Sequence, residues 1–398
     1  MSRQGEKDIL QQLEARRERI VALSRRIHSE PETAFEEHKT SRLLQEVLAA
    51  EGFAVTPGIA SLPTAFRAVR RGGAEHPCLT FTAEMDALPE IGHACGHNII
   101  AVAGVYAPIV LQSALGPSFP GTIQVIGTPA EERGSGKVSL LQAGVFEGAD
   151  AVLQMHPHSL DTVVCQAMAR RTVVVEFFGK KAHAAAAPHE GVNALDALVL
   201  FYQSAALARQ QFPPGCLFHG IIEEGGRSAN VIPDYARGRF SLRADRPSSL
   251  ELLRERLRAW AQAAAEATGC RVNATESGHA VTTFRRNRAL EDLFAGLFES
   301  IGRSEPRKTR RAFGSTDLAS VSQAVPAIEI FVKASDCPIH TEGFASDAAA
   351  ASGDRALLDG VFLLAAGGYR LLSEPQLLER VRESFAAPQA EEPTRTLP

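Results

Sequence analysis

The segment His93-Ala94-Cys95-Gly96-His97 places a thiol and two imidazoles within five residues. Thiolate and neutral imidazole both suit zinc or a similar transition metal. In extended backbone, positions 95 and 97 point the same way, and Gly96 lets the chain pack close to an ion. The same five residues could equally form a tight turn holding a buried thiol and two structural histidines. Other ligand types lie farther along: Asp86, Glu131, Glu132, His156 and His340. Two divalent ions held about 3.5–4 Å apart need roughly this inventory, with one bridging group between them. Adjacent Glu131 and Glu132 suggest a division of labour, one holding a metal and the other taking a proton from an activated water. They could also simply begin a helix after Pro129, where negative charge is favourable. His183 precedes an alanine run that leaves it uncovered, so it could stabilise an oxyanion.

These residues need elements that bring them together. Helical periodicity covers 8–28 and 36–52, with Pro31 between the two. Apolar runs at 79–82, 122–126 and 151–155 then alternate with helical stretches 99–115 and 136–144. That alternation predicts an α/β layered domain with a largely parallel sheet. Sites in such sheets form at the carboxyl ends of strands, where Asp86, Glu131, Glu132 and His156 fall. His340 follows a further run at 327–331 and can join them. From Arg170 the pattern changes to strands 172–178, 216–222 and 235–242 with helices 193–211 and 249–268, an α+β unit with antiparallel strands. After a strand at 271–275, helix 288–301, strand 327–331 and helix 347–372 resume the earlier alternation. One domain inserted into another accounts for this order. The expected division is a catalytic domain in two parts, 1–169 and 282–385, an inserted domain 170–281 and a disordered tail 386–398 rich in Pro, Glu and Thr.

Composition limits the alternatives. A chain of 398 residues with 45% apolar content can bury two cores. Net charge is −4, and basic residues are scattered apart from Arg307, Lys308, Arg310 and Arg311, so no nucleic-acid partner is expected. The apolar stretch 99–115 is interrupted by Gly104, Pro108 and Gln112 and reads as a buried helix, so no membrane partner is expected either. The charged amino terminus has no signal-peptide pattern, and six dispersed cysteines suit reduced thiols, which together suggest a cytoplasmic location. Gly134-Ser135-Gly136-Lys137 has the ending of a phosphate loop, but Glu131 and Val138 break that pattern. No Gly-x-Ser-x-Gly elbow of a serine hydrolase occurs.

The string Glu84-Met85-Asp86-Ala87-Leu88-Pro89, followed by His93-Ala94-Cys95-Gly96-His97-Asn98, resembles the M20 metallopeptidases, specifically their amidohydrolase branch, subfamily D. Ser29-Glu30-Pro31-Glu32, Thr128-Pro129-Ala130-Glu131-Glu132, Met155-His156-Pro157, Ala182-His183-Ala184-Ala185, Asn230-Val231-Ile232-Pro233 and Ile339-His340-Thr341-Glu342 extend the likeness over nearly the whole chain. Phe177-Phe178-Gly179-Lys180, 191–197 and Gly314-Ser315-Thr316-Asp317 look most like the M20 domain-containing protein 2 group, dipeptidases acting on β-alanyl-lysine-type dipeptides. Other relatives in the branch cleave p-aminobenzoyl-glutamate, N-acyl amino acids or indole-acetyl amino acid conjugates.

The resemblance implies a zinc-peptidase-like catalytic domain with a mostly parallel mixed sheet and an inserted α+β domain that dimerises and acts as a lid. It implies two divalent metal ions, zinc or manganese, bridged by Cys95 and held further by His97, Glu132, His156 and His340. Glu131 would be the general base and Asp86 would orient a ligand, with His93 in support. His183 and Asn230 would act from the inserted domain of a homodimer. Arg243, Gly314, Ser315 and Thr316 would bind the substrate, with Arg243 gripping a carboxylate. Hydrolysis of a small dipeptide or N-acyl amino acid is the expected activity. A carbamate or N-acyl aromatic amine is the rival substrate class. A catalytically silent binding protein is the rival of another kind, and it would have lost one of Cys95, His97, Glu131, Glu132, His156 or His340, all of which are present.

Overall fold

A computed structural model describes residues 3–304 and 314–389. They fall into two compact units, the first comprising 3–166, 284–304 and 316–389, the second 167–283 with Gly314 and Ser315. The basic cluster 307–311 and tail residues 390–398 lie outside the described residues. Residues 386–389 are placed: Ala386 ends the helix Pro375–Ala386, and Gln389 accepts from the Arg286 amide at 3.2 Å.

The first unit contains β1 (Ala54–Pro57), β2 (Phe66–Arg71), β3 (Cys78–Glu84), β4 (Thr122–Thr128), β5 (Ala151–His158) and, after the insertion, β10 (Ala327–Lys333). They form one sheet in the order β1-β2-β4-β3-β5-β10, with β4, β3, β5 and β10 parallel and the β1–β2 and β2–β4 pairings antiparallel. The sheet is therefore mixed and mostly parallel, as the alternating pattern predicts. The two antiparallel strands are short and carry arginine or threonine between apolar positions, which hides them from a reading based on apolar runs.

Strand periodicity separates the two faces of this sheet. Leu79, Phe81 and Ala83, Ile123 and Val125, Leu153 and Met155, and Ile328 and Ile330 join one apolar core with the helices His97–Leu115 and Ala351–Ser373. Both helices meet the length and apolarity of a membrane span, and both are largely buried in this core. The opposite face carries Thr80, Thr82, Glu84, Gln124, Gln154 and Glu329, all buried. Such groups tolerate burial because they bond one another: Thr82 Oγ1 donates to Gln154 Oε1 at 2.6 Å, and Gln154 Nε2 to both Glu84 Oε1 at 2.9 Å and Glu329 Oε1 at 2.7 Å.

Two expected helices are each broken. The amino-terminal one divides into Arg3–Glu14 and Arg17–Ser29, and the last into Glu342–Ala348 and Ala351–Ser373. Apolar spacing continues across both breaks, so periodicity alone does not reveal them.

The second unit folds β6 (Ala169–Phe178), β7 (Leu217–Glu224), β8 (Tyr235–Ala244) and β9 (Arg271–Val281) into an antiparallel sheet in the order β7-β8-β6-β9. Helices Ala194–Ala208 and Pro247–Thr268 cover one face and close a core around Phe177, Phe201, Phe240 and Leu257. Asn193 caps the first of them by accepting from Leu195 N and Asp196 N.

Candidate metal centre

Parallel strands deliver the ligand types to one end of the first unit's sheet. Glu84 closes β3, Glu131 and Glu132 follow β4, and His156 lies near the end of β5. His340 reaches the same region because its amide donates to the Ala94 carbonyl at 2.8 Å, and its backbone is left-handed at φ 63°.

Cys95 and His97 are not presented by extended backbone. Gly96 is left-handed, at φ 79°, and His97 is the first residue of the helix His97–Leu115. A Cβ at position 96 would lie 2.5 Å from Pro157 Cγ. Glycine is thus required by the turn and by close contact with the residue after His156.

Cys95, His97 and His156 place ligand atoms within 4.8 Å of one another, as do Cys95, Glu132 and His340, and His97, Glu131 and Glu132. Cys95, His97 and Glu132 each belong to two of these three groups. Two donors on one tetrahedral ion stand about 3.3–3.6 Å apart, given bonds of about 2.0–2.1 Å to nitrogen or oxygen and about 2.3 Å to sulfur. Cys95 Sγ and His156 Nε2 are 3.5 Å apart, and Glu132 Oε1 and His340 Nε2 are 3.2 Å apart. The Nδ1 atom of His156 faces the Pro157 carbonyl at 2.7 Å, which leaves Nε2 for the cluster. His97 Nδ1 faces Asp86 Oδ1 at 3.2 Å, leaving its Nε2 free in the same way. His97 Nε2 and Glu132 Oε1 are buried without an aligned hydrogen-bond partner. Converging donors of this kind, with His97 Nε2 and Glu132 Oε1 left without a partner, fit a shared cation.

Most of the electrostatics agree; His97 is the exception, because Cys95 and Asp86 outweigh its burial and hold it well above the ordinary imidazole range. Burial, then Glu132, pushes the Cys95 thiol well above its ordinary range. Burial, reinforced by Glu84, Asp317 and Glu132, raises Glu131 well above the usual carboxylate range. Glu132 falls to about 2, because His340 and His97 outweigh its burial. Burial lowers His156 to about 4, favouring the neutral form a ligand requires. Excess negative charge and a suppressed thiolate are what divalent cations would relieve.

Glu84, Lys137 and Asp317 lie in motifs visible in the sequence, but their pairing shows only in the structure. Lys137, fully buried, donates through Nζ to Glu84 Oε1 at 2.5 Å and Asp317 Oδ1 at 2.7 Å, and through its backbone amide to Asp317 Oδ2 at 2.9 Å. The lysine that ends a failed phosphate-loop pattern is thus a buried counter-ion. Glu84 Oε2 lies 3.5 Å from His97 Nε2. Asp86 accepts from Glu131 N and Glu132 N, each at 3.0 Å, and so positions both glutamates as well as His97. His93 belongs to none of the ligand groups; it is buried, with its ring 6.0 Å from that of His28.

Of the remaining candidates, His183, Asn230, Arg243, Gly314 and Ser315 belong to the second unit and Thr316 to the first. His183 Nδ1 accepts from Ala185 N and Ala186 N at 3.2 and 3.1 Å, so a neutral ring carries its proton on Nε2. His183 is exposed and pairs with Val231, beside exposed Asn230. Arg243 lies on β8, and its Nη1 is 3.8 Å from where a Cβ of Gly314 would stand. Ser315 Oγ is buried without a hydrogen-bond partner, and Thr316 Oγ1 accepts from Leu318 N.

Comparison with known proteins adds to this geometry. Residues 170–269 match the peptidase dimerisation domain of M20 enzymes. The chain is 38% identical to the Xaa-Arg dipeptidase of Mus musculus, over 94% of its own length and 90% of that protein's. It is 29% identical to one of the chains that make up the p-aminobenzoyl-glutamate hydrolase of Escherichia coli, over 78% and 68% of the two lengths. A dinuclear metal-binding peptidase of the M20 family from Bacillus subtilis shares the fold, with a TM-score of 0.70 and 19% identity, covering 90% of this chain and 99% of the other.

Proposed function

The chain belongs to the M20 peptidase family and is a hydrolase of amide bonds, and from that premise we propose that it is a dinuclear metal-dependent dipeptidase acting on small dipeptides. The observation that carries this reading is the convergence of Cys95, His97, Glu132, His156 and His340, with a Glu131 carboxylate oxygen within 4.8 Å of ligand atoms of His97 and Glu132. Cys95, His97, Glu132, His156 and His340 would hold the two ions, with zinc or manganese compatible with a thiolate among imidazoles and carboxylates. When bound, the ions polarise the scissile carbonyl and make water a stronger acid.

Glu131, with its affinity for protons raised by burial and by neighbouring carboxylates, accepts the proton of the attacking water and passes it to the departing nitrogen. Asp86 holds His97 in the tautomer that leaves Nε2 free and holds both glutamates by their amides. His183, with its proton on Nε2, donates to the oxyanion. Asn230, Arg243, Gly314, Ser315 and Thr316 take the substrate, with the guanidinium on its carboxylate. The Xaa-Arg dipeptidase relatives point to dipeptides ending in a cationic residue as the first class to examine.

The protein would act as a homodimer through the second unit. There Leu207 is 79% and Ile221 61% exposed, with Leu217 on the edge strand β7 and Val199 and Leu200 on the neighbouring helix also exposed. A cytoplasmic location would suit six cysteines that form no disulfide.

The deciding experiment combines metal analysis with a hydrolysis panel of dipeptides, N-acyl amino acids, p-aminobenzoyl-glutamate and carbamates. Glu131→Gln should retain wild-type metal content and lose on the order of 10³-fold in kcat. An unchanged rate in that variant removes Glu131 from the mechanism, and hydrolysis confined to acyl-aromatic substrates replaces the dipeptidase reading.

A further inference from the structure

Glutamates 131 and 132 follow Ala130, a non-glycine residue at φ 58° that is fully buried. A left-handed alanine is costly and persists where its surroundings enforce it. The residue that grips it is 93 positions away in sequence: Glu37 Oε1 accepts from Ala130 N at 2.9 Å. The same oxygen accepts from Phe35 N at 3.0 Å, where Phe35 is itself left-handed at φ 68°. The other oxygen accepts from Thr64 Oγ1 at 2.9 Å. Glu37 is wholly buried, so this carboxylate has no exposed role. The Phe35 ring lies 2.4 Å from where a Cβ of Gly134 would stand, so the loop bearing Glu37 is seated on the whole turn 130–134.

With Asp86 bonding Glu131 N and Glu132 N, three successive amides are held by two buried carboxylates. Asp86 also holds a candidate ligand, His97. Glu37 bonds none of the clustered donors and holds the turn only through the Ala130 amide. Its anchor fixes the peptide that enters Ala130, and with Asp86 holding the next amide the two set the direction in which the Glu131 side chain leaves the main chain.

We propose that Glu37 is a positioning residue for the reaction, fixing the left-handed turn at Ala130 so that Glu131 reaches the water it deprotonates. This inference rests on the reading of Glu131 as the general base. A displacement of about 1 Å at such a group costs on the order of 10²-fold in rate.

The test measures kcat, KM, metal content and folded fraction for four variants of the full-length, metal-loaded protein. Glu37→Ala should bind metal normally and lose about 10²-fold in kcat, with KM within about threefold of wild type. Glu37→Gln, which keeps an acceptor for Ala130 N, should recover most of that loss. Adding Ala130→Gly to Glu37→Ala should restore about fivefold or more, because glycine adopts the turn without the penalty that alanine carries. Thr64→Val removes a buried hydrogen bond to the same carboxylate but leaves the clamp, and should lower stability with little change in kcat. Equal kcat loss in Thr64→Val and Glu37→Ala, or a wild-type kcat per folded site in Glu37→Ala, would overturn the proposal. If Glu131→Gln is inactive while Glu37→Ala is fully active, positioning by Glu37 fails and the general base stands. If Glu131→Gln is active, the general-base reading fails and the proposal falls with it.

Discussion

In the first unit, Glu84, Asp86, His97, Lys137, Asp317 and Glu329 are each no more than 1% exposed, and each has a specific partner. In the second unit, His183 and Asn230 are exposed, while large apolar residues such as Leu207 and Ile221 also face outward. One unit hides charge and the other displays hydrophobic surface. A buried ionic network keeps its geometry only when every member is paired, so it suits a site that must stay rigid. Exposed candidates in a unit that also exposes apolar residues suit a surface that is completed by something else. The contrast predicts that single changes in the first unit act mainly on stability and chemistry, and those in the second mainly on association.

The largest expected effect is at Lys137. Lys137→Met leaves Glu84 and Asp317 buried without their cation, and removing one partner of a buried ion pair costs about 3–5 kcal/mol. Urea unfolding of the metal-free protein measures it directly. A loss below about 1 kcal/mol would show that the first unit's interior is wetter than its burial implies, and the contrast would weaken.

Much of the centre was legible in the sequence. By type and place alone Cys95, His97, Glu132 and His156 also allow a tight turn or a helix start, and the resemblance to the M20 metallopeptidases is what singles them out. Gln154 and Glu329 do not stand out, since they occupy alternate positions in strands where a buried residue is expected to be apolar. Their period-two placement alongside Thr80, Thr82 and Glu84 is the available signal, and it marks a buried polar face only once the facing partners are known. The grip of Glu37 on Ala130 leaves no trace in spacing, because it depends on a backbone angle and a distant partner. The hydrophobic pattern changes period near Arg170, and the two compact units change over in sequence at 166/167 and 283/284. The breaks in the helices at 15–16 and 349–350 were not readable, since apolar spacing continues across them.

A second, smaller effect concerns pH. Burial, then Glu84, raises Glu329 to about 7 from an ordinary 4.5. A carboxyl whose folded pKa is raised favours the folded state fully below about 4.5 and loses that contribution as pH climbs to about 7. The difference corresponds to about 3 kcal/mol as an upper figure. Glu329→Gln should therefore match wild type near pH 4 and exceed it in stability near pH 8, with a flatter profile between. Chemical denaturation of the metal-free proteins at several pH values reads this. A variant less stable than wild type at pH 8 would mean that the carboxylate bonded to Cys165 and Gln154 is favourable when charged.

The smallest effect on folding is expected in the second unit. Ile221 sits on edge strand β7, and its exposure leaves little burial to lose. Ile221→Asp should change the stability of an isolated chain by less than about 0.5 kcal/mol, as surface substitutions do. Its effect should appear in sedimentation, as a shift from dimer to monomer at micromolar concentration, because a charge placed in an apolar contact must be desolvated to associate. Turnover then discriminates between two arrangements. If His183 and Asn230 serve the chain that carries them, the monomer keeps its rate per site. If they serve a partner chain, kcat falls with the dimer and recovers as protein concentration rises. A dimer that survives this substitution would place association elsewhere and make the exposed apolar residues of β7 ordinary surface.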